Sequence, residues 1–224
     1  MIEFRDVTHA FGELTVLREV TLTLAERRIG IVGANGSGKS TLARMINALV
    51  TPDRGTVTVN GIDARRHKRR VRREVGFIFS DPDRQIIMPT VREDIELSLT
   101  RTELSKSERA ERTRTVLQRF GLGDHADAPA QRLSGGQKQL LALASIFVTE
   151  PAIIVADEPT TLLDLRHARM LRAVLAGLDE QLVVVSHDLD LVSDFDRILV
   201  VDDGRVVVDD EPAPALAHYR EMMS

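Results

Sequence analysis

Residues 33 to 41 read Gly-Ala-Asn-Gly-Ser-Gly-Lys-Ser-Thr and directly follow the apolar run Ile29-Gly30-Ile31-Val32. Gly33 and Gly38 frame a loop, and Gly36 lets the backbone approach a ligand with no Cβ in the way. A loop of this kind turns its N–H groups toward phosphate oxygens, helped by the positive end of the helix that begins there. Lys39 can reach β- and γ-phosphates, and the Ser40 hydroxyl can ligate Mg²⁺. Asn35, Ser37 and Thr41 complete the contact set of the loop. Beyond it, Leu42, Met45, Ile46 and Leu49 recur at helical spacing and would seat that helix on a sheet. Strand, glycine loop and helix in that order make a P-loop, and the expected ligand is a nucleoside triphosphate.

A P-loop alone leaves the use of the triphosphate open, because kinases, GTPases, helicases and transport ATPases all carry one. Residues 133 to 137 read Leu-Ser-Gly-Gly-Gln and lead into Leu140-Leu141-Ala142-Leu143-Ala144. Pro151 follows, then Ile153-Ile154-Val155-Ala156-Asp157-Glu158. An apolar run of this type reads as a buried parallel strand whose C-terminal end borders a ligand crevice. At that edge Asp157 can hold Mg²⁺ through its water shell, and Glu158 can orient or deprotonate an attacking water. His187 ends a second apolar run, Leu182 to Val185, and is expected at the same edge.

With these segments in this order, the chain resembles the ATP-binding cassette (ABC) ATPases over nearly all of its length. The resemblance makes Leu133 to Gln137 the signature motif, with Ser134, Gly135, Gly136 and Gln137 as nucleotide contacts. It makes Asp157 the Walker B aspartate and Glu158 the catalytic glutamate. Thr161-Leu162-Leu163-Asp164 is similar to the D-loop, and His187 to the switch histidine that reads the γ-phosphate. Phe11, twenty-two residues before Gly33, takes the place of the aromatic that stacks on adenine. The implied fold is α/β: a P-loop NTPase (RecA-like) core with an antiparallel β subdomain and an inserted α-helical subdomain. The implied cofactors are ATP and Mg²⁺. A second ATPase subunit, identical or related, is implied as well, because the signature of one cassette acts on the ATP of another and two cassettes sandwich two nucleotides.

Composition bounds the rest. With 224 residues the chain holds one nucleotide-binding domain, its core expected at about 1–90 and 150–224 and its helical lobe at about 91–149. The net charge of −4 does not point to nucleic acid. The absence of cysteine removes disulfides and Cys-ligated metals and fits a cytosolic setting. Met1-Ile2-Glu3-Phe4 is strand-like and carries an acid, unlike a signal peptide. No apolar run approaches the roughly 20 residues of a spanning helix, so transport requires separate integral membrane subunits, with this chain on the cytoplasmic face of the membrane.

Further along, 2–7 and 14–24 read as β-rich, 57–59 as a strand entering the Asn60-Gly61 turn, and 75–79 as a strand. From about Val91 to Val148 the pattern is helical, with a polar stretch from Thr100 to Arg114. Strands are expected around 153, 183 and 198, the last closing through Asp203-Gly204 into 206–208. The basic run Arg65-Arg66-His67-Lys68-Arg69-Arg70-Val71-Arg72-Arg73 has two readings: contact with acidic lipid or nucleic acid, or the solvated face of a short helix. Its place between two motif-bearing strands favours the solvated face.

One position departs from the family. Ser80 stands where the resemblance expects the Q-loop glutamine that helps ligate Mg²⁺, so its oxygen reaches the metal position on a shorter arm. A bridging water would span the gap, or Gln85 would take over part of the loop's sensing of the membrane subunit. Leu140 replaces an arginine usual after the signature, and nothing in the sequence explains that change. The segment Asp81-Pro82-Asp83-Arg84-Gln85-Ile86-Ile87, followed by Pro89-Thr90-Val91 and Glu93-Asp94-Ile95, is similar to the ATPases of energy-coupling factor (ECF) importers. Those carry vitamins or transition-metal ions and work with a substrate-binding membrane protein; the biotin system fits best. The ATPase of another ABC importer or of an exporter is the alternative. A chromosome-associated ABC protein is disfavoured, because the 95 residues from Gly38 to Leu133 hold no sustained heptads.

Overall fold

The computed structural model describes residues 1–161 and 163–223; Leu162, part of the D-loop-like segment, lies outside them. The described residues form two compact units, 1–77 with 152–158 and 180–224, and 78–151 with 159–179. The helical lobe expected at 91–149 falls within the second, whose limits are wider.

The first unit opens with two long strands, β1 (Ile2–Phe11) and β2 (Leu14–Leu24), then the short β3 (Arg28–Val32), which runs through the glycine loop into helix α1 (Lys39–Ile46). Strand β4 (Arg54–Val59), β5 (Ile62–Asp63), helix α2 (Lys68–Glu74) and β6 (Val75–Ile78) follow. The second unit holds α3 (Val91–Ser98), α4 (Lys106–Arg119) and α5 (Gly135–Phe147). The chain then supplies β7 (Ile153–Asp157) to the first unit and α6 (Leu165–Ala176) to the second. It finishes in the first with β8 (Gln181–Val185), α7 (Leu189–Val192), β9 (Arg197–Asp202), β10 (Arg205–Asp210) and α8 (Pro212–Met222).

Two sheets result, a four-stranded antiparallel one in the order β2-β1-β4-β5 and a six-stranded one in the order β10-β9-β3-β8-β7-β6. In the larger sheet β3, β7, β8 and β9 pair in parallel, and β10 runs antiparallel to β9 through their hairpin. β3, β7 and β8 are buried almost throughout, which is why their sequences read as unbroken apolar runs rather than as alternation. Val185 pairs with Ile31 on one side and with Asp157 on the other, so three strands end level.

The helical unit depends on capping. Thr90 with Glu93, Ser105 with Glu108 and Ser134 with Gln137 each form a reciprocal capping box at the start of α3, α4 and α5. The polar stretch from Thr100 to Arg114 is therefore largely helix, because α4 starts at Lys106 and buries only Thr113, Val116 and Leu117. Asp94, almost fully buried, accepts the N–H groups of Ile87 (2.8 Å) and Met88 (3.0 Å) and the Ser145 hydroxyl (3.0 Å), which ties the 85–88 segment to α3 and α5.

Gly30 lets α7 and β9 close on the middle of β3. A Cβ there would run into Ile198 Cδ1 and lie 3.0 Å from Val192 Cβ. Gly30→Val is expected to lower stability by about 1–3 kcal/mol through overpacking. Urea unfolding measures this, and an unchanged midpoint would mean that Ile198 turns aside freely.

Candidate active site

The glycine loop places α1 without a side-chain cap. Gly38 occupies the N-cap position with φ 104°, a left-handed conformation suited to glycine, and among the described residues no side chain caps the first-turn N–H groups. Those groups remain available to an anion at the positive end of the helix. The Lys39 side chain folds over the loop, its Nζ donating to Ala34 O at 2.7 Å. Burial pulls the Lys39 ammonium below its usual pKa, while the charges of Glu158 and Asp157 oppose that shift. Ser37 is buried, and its hydroxyl has no partner among the described residues, whereas Asn35 and Gly36 are exposed at the loop tip.

Helix α1 meets the end of β7 through two bonds to one carboxylate. Ser40 Oγ donates to Asp157 Oδ1 at 2.7 Å, and the Arg44 guanidinium donates to Asp157 Oδ2 at 3.0 Å. Asp157 is only 3% exposed, so both bonds compensate a carboxylate taken out of water. Thr41, next to Ser40, is buried. Sequence reasoning missed Arg44, although its spacing of four from Ser40 puts both on one helical face.

Glu158 has φ 53°, unusual for a residue with a side chain, and its N–H donates to Val185 O at 2.9 Å. Its Oε2 lies 2.7 Å from His187 Nδ1 and also accepts the His187 backbone N–H at 3.4 Å. The expectation that both residues reach one edge is met, and their mutual contact is new. On α8, the Tyr219 phenol is raised above its usual range, by burial first and by the charge of Glu158 second. Phe11 ends β1 in the same unit, 56% exposed and edge-on to His9 at 4.7 Å.

The second unit gathers the other candidates. Ser134 Oγ accepts the Gln137 N–H (3.3 Å) and Gln137 Oε1 accepts the Ser134 N–H (2.9 Å), which fixes the start of α5 beside Gly135 and Gly136. Asp164 caps α6, its Oδ1 accepting the His167 N–H at 2.9 Å and lying 2.9 Å from His167 Nδ1. The His167 ring packs on Gly136, where a Cβ would overlap it. His167 thus joins the signature-like and D-loop-like segments, and only tertiary structure shows it.

Ser80 is half-buried in this unit. Gln85, weighed as its substitute, has its amide engaged nearby: Oε1 accepts the Phe79 N–H (3.4 Å) and Nε2 donates to Ala142 O (3.3 Å). Gln139 Nε2 donates to Phe79 O at 3.3 Å, so two glutamines hold the Phe79 backbone from both sides.

Comparison with known proteins decides the family. Residues 17–161 match the family model described as ABC transporter. This chain belongs to the ABC transporter ATP-binding family. A putative ABC transporter ATP-binding protein of Deinococcus radiodurans is 50% identical, the match covering 100% of this chain and 99% of the relative. The biotin transport ATP-binding protein BioM of Rhizobium etli is 45% identical, covering 99% and 98% of the two chains. Among solved structures, CbiO1 of Clostridium perfringens, part of the ABC transporter complex CbiONQ, superposes with a TM-score of 0.87 at 25% identity, covering 99% of this chain and 92% of that one. The ABC cassette described here is therefore an ATP-binding, ATP-hydrolysing transporter subunit.

Gly136→Ala provides a test of the His167 contact in this cassette. Alanine in place of glycine in a helix ordinarily stabilises by up to about 1 kcal/mol. Overlap with His167 is expected to reverse the sign, to a loss of about 1–3 kcal/mol. In a His167→Gly background, which removes ring and Cβ together, the same alanine is expected to stabilise. Equal effects in both backgrounds, read from denaturant midpoints, would show that the contact is not made.

Proposed function

We propose that this cassette powers an ECF-type importer, with biotin as the favoured solute and another vitamin or a transition-metal ion as the alternatives in that class. The observation that carries the proposal is end-to-end similarity to a biotin transport ATPase, together with the Asp81 to Ile95 segment. The partners are then a second cassette, integral membrane subunits and a substrate-binding membrane protein, with the cassette held at the cytoplasmic face of the membrane.

The proposed chemistry is hydrolysis of ATP by water. Phe11 stacks on adenine, and the α1 N–H groups with Lys39 hold the β- and γ-phosphates. Ser40 Oγ and the Asp157 carboxylate are adjacent hard oxygen donors that would hold Mg²⁺, which supplies charge neutralisation at the β- and γ-oxygens when bound. Among the described residues no cluster of three His, Cys, Asp or Glu makes an all-protein metal cage, which fits an ion held mainly by phosphate and water. Ser80 is the further oxygen donor that the family resemblance offers to that ion. Glu158 accepts the proton of the attacking water as its oxygen bonds to the γ-phosphorus and the bond to the β–γ bridging oxygen breaks, releasing ADP and phosphate. His187, with Nδ1 on Glu158, keeps Nε2 for the γ-phosphate. Ser134, Gly135, Gly136, Gln137 and Asp164 serve the nucleotide of the partner cassette. Loss of the γ-phosphate bridge then loosens the pair and moves the membrane subunits.

Co-expression with the membrane subunits of a biotin ECF system and, separately, with an exporter's membrane subunits tests the transport direction. ATP-dependent biotin accumulation with the first and no complex with the second is the expected outcome. Assembly with the exporter subunits alone would overturn the import reading.

Glu158→Gln keeps size and hydrogen bonding but loses the base. ATP is expected to bind while turnover falls by roughly 10²-fold or more. Turnover near wild type in a steady-state phosphate-release assay would remove Glu158 from the catalytic role.

A further inference from the structure

We infer that the exposed face of α2, with the turn before it, docks onto the anionic phospholipid headgroups of the membrane. Seven lysines and arginines occupy the nine positions from Arg65 to Arg73, with no acid among them, in a chain whose net charge is −4. Every charged side chain in the run is exposed, and only Val71 turns inward. One loose ion pair is present, Arg66 Nε to Asp63 at 3.7 Å, and Arg72 donates to Ala48 O at 3.0 Å. Arg65, Lys68, Arg69, Arg70 and Arg73 make no side-chain hydrogen bond or ion pair among the described residues.

An ordinary solvated helix face mixes both signs, and its i,i+4 pairs attract. Here Lys68 faces Arg72 and Arg69 faces Arg73, so these two pairs repel, and Arg70 with Glu74 is the one i,i+4 pair of opposite sign in α2. A plane of negative headgroups relieves that repulsion and draws each cation. Because the remainder of the chain is more acidic than its net charge, the same plane repels other faces, and the basic segment sets one orientation. The segment carries no Phe, Tyr or Trp to stack on a base, and a transporter subunit works beside a membrane. Only this choice of lipid over other polyanions rests on the transporter assignment.

The test is co-sedimentation of the full chain with phosphatidylcholine vesicles, with and without phosphatidylglycerol, over a salt series. Binding is expected only with phosphatidylglycerol and is expected to disappear at high salt. The triple variant Arg69→Gln, Arg70→Gln, Arg73→Gln is expected to lose affinity on the order of 10²-fold. The control Arg54→Gln, Arg101→Gln, Arg205→Gln removes three exposed cations elsewhere and is expected to bind like the native chain. ATP binding by each variant verifies folding, and vesicle binding is read without turnover, so failure here is distinct from failure of the importer reading. Equal binding to neutral vesicles, salt-insensitive binding, or no loss in the first triple variant would overturn the inference. Retention of a DNA or RNA oligonucleotide in place of vesicles would also overturn it.

Discussion

The site depends on a register. Val185 in β8 bonds to Ile31 of β3 on one side and to Asp157 of β7 on the other, so three parallel strands end at one level. The glycine loop begins two residues beyond Ile31, Glu158 one beyond Asp157, and His187 two beyond Val185. Side chains alternate faces along a strand, so a slip of one residue would turn Asp157 away from Ser40 and break both of its bonds to α1. Burial on both faces enforces that register, because a slipped strand would still be apolar but would mismatch the helices packed on it.

Two local conformations shape the aligned strand ends. Gly38 allows α1 to start at once with its N–H groups open. Glu158 adopts the left-handed conformation at a cost of order 1–3 kcal/mol, offset in part by its N–H bond to Val185 O. The turn breaks the alternation of β7, which lets Asp157 serve α1 while Glu158 meets His187. Strain at this residue is consistent with a position selected for chemistry rather than for stability.

Much of the core was legible because its signals are local. The loop from Gly33 to Ser40, the buried strand runs and the turns at Asn60-Gly61 and Asp203-Gly204 need only neighbouring residues to be read. Helix α4 was hidden by low hydropathy, although Ser105 and Glu108 carry its capping box. Helix α6 buries only Leu171 and Leu175 beneath a basic surface, too sparse a stripe to register as periodic. The contacts of Arg44 with Asp157, His167 with Gly136 and Gln139 with Phe79 join residues distant in the chain, and composition carries no trace of them. The amide contacts of Gln85 with Phe79 and Ala142 are likewise visible only in the structure.

Tyr219 gives the molecule an optical property. The chain has no tryptophan and a single tyrosine, so its intrinsic near-ultraviolet emission arises almost wholly from one ring. That ring is partly buried and feels the charge of Glu158. The chain thus carries a single tyrosine fluorophore on α8, and changes around that helix can be followed by light without attaching a label.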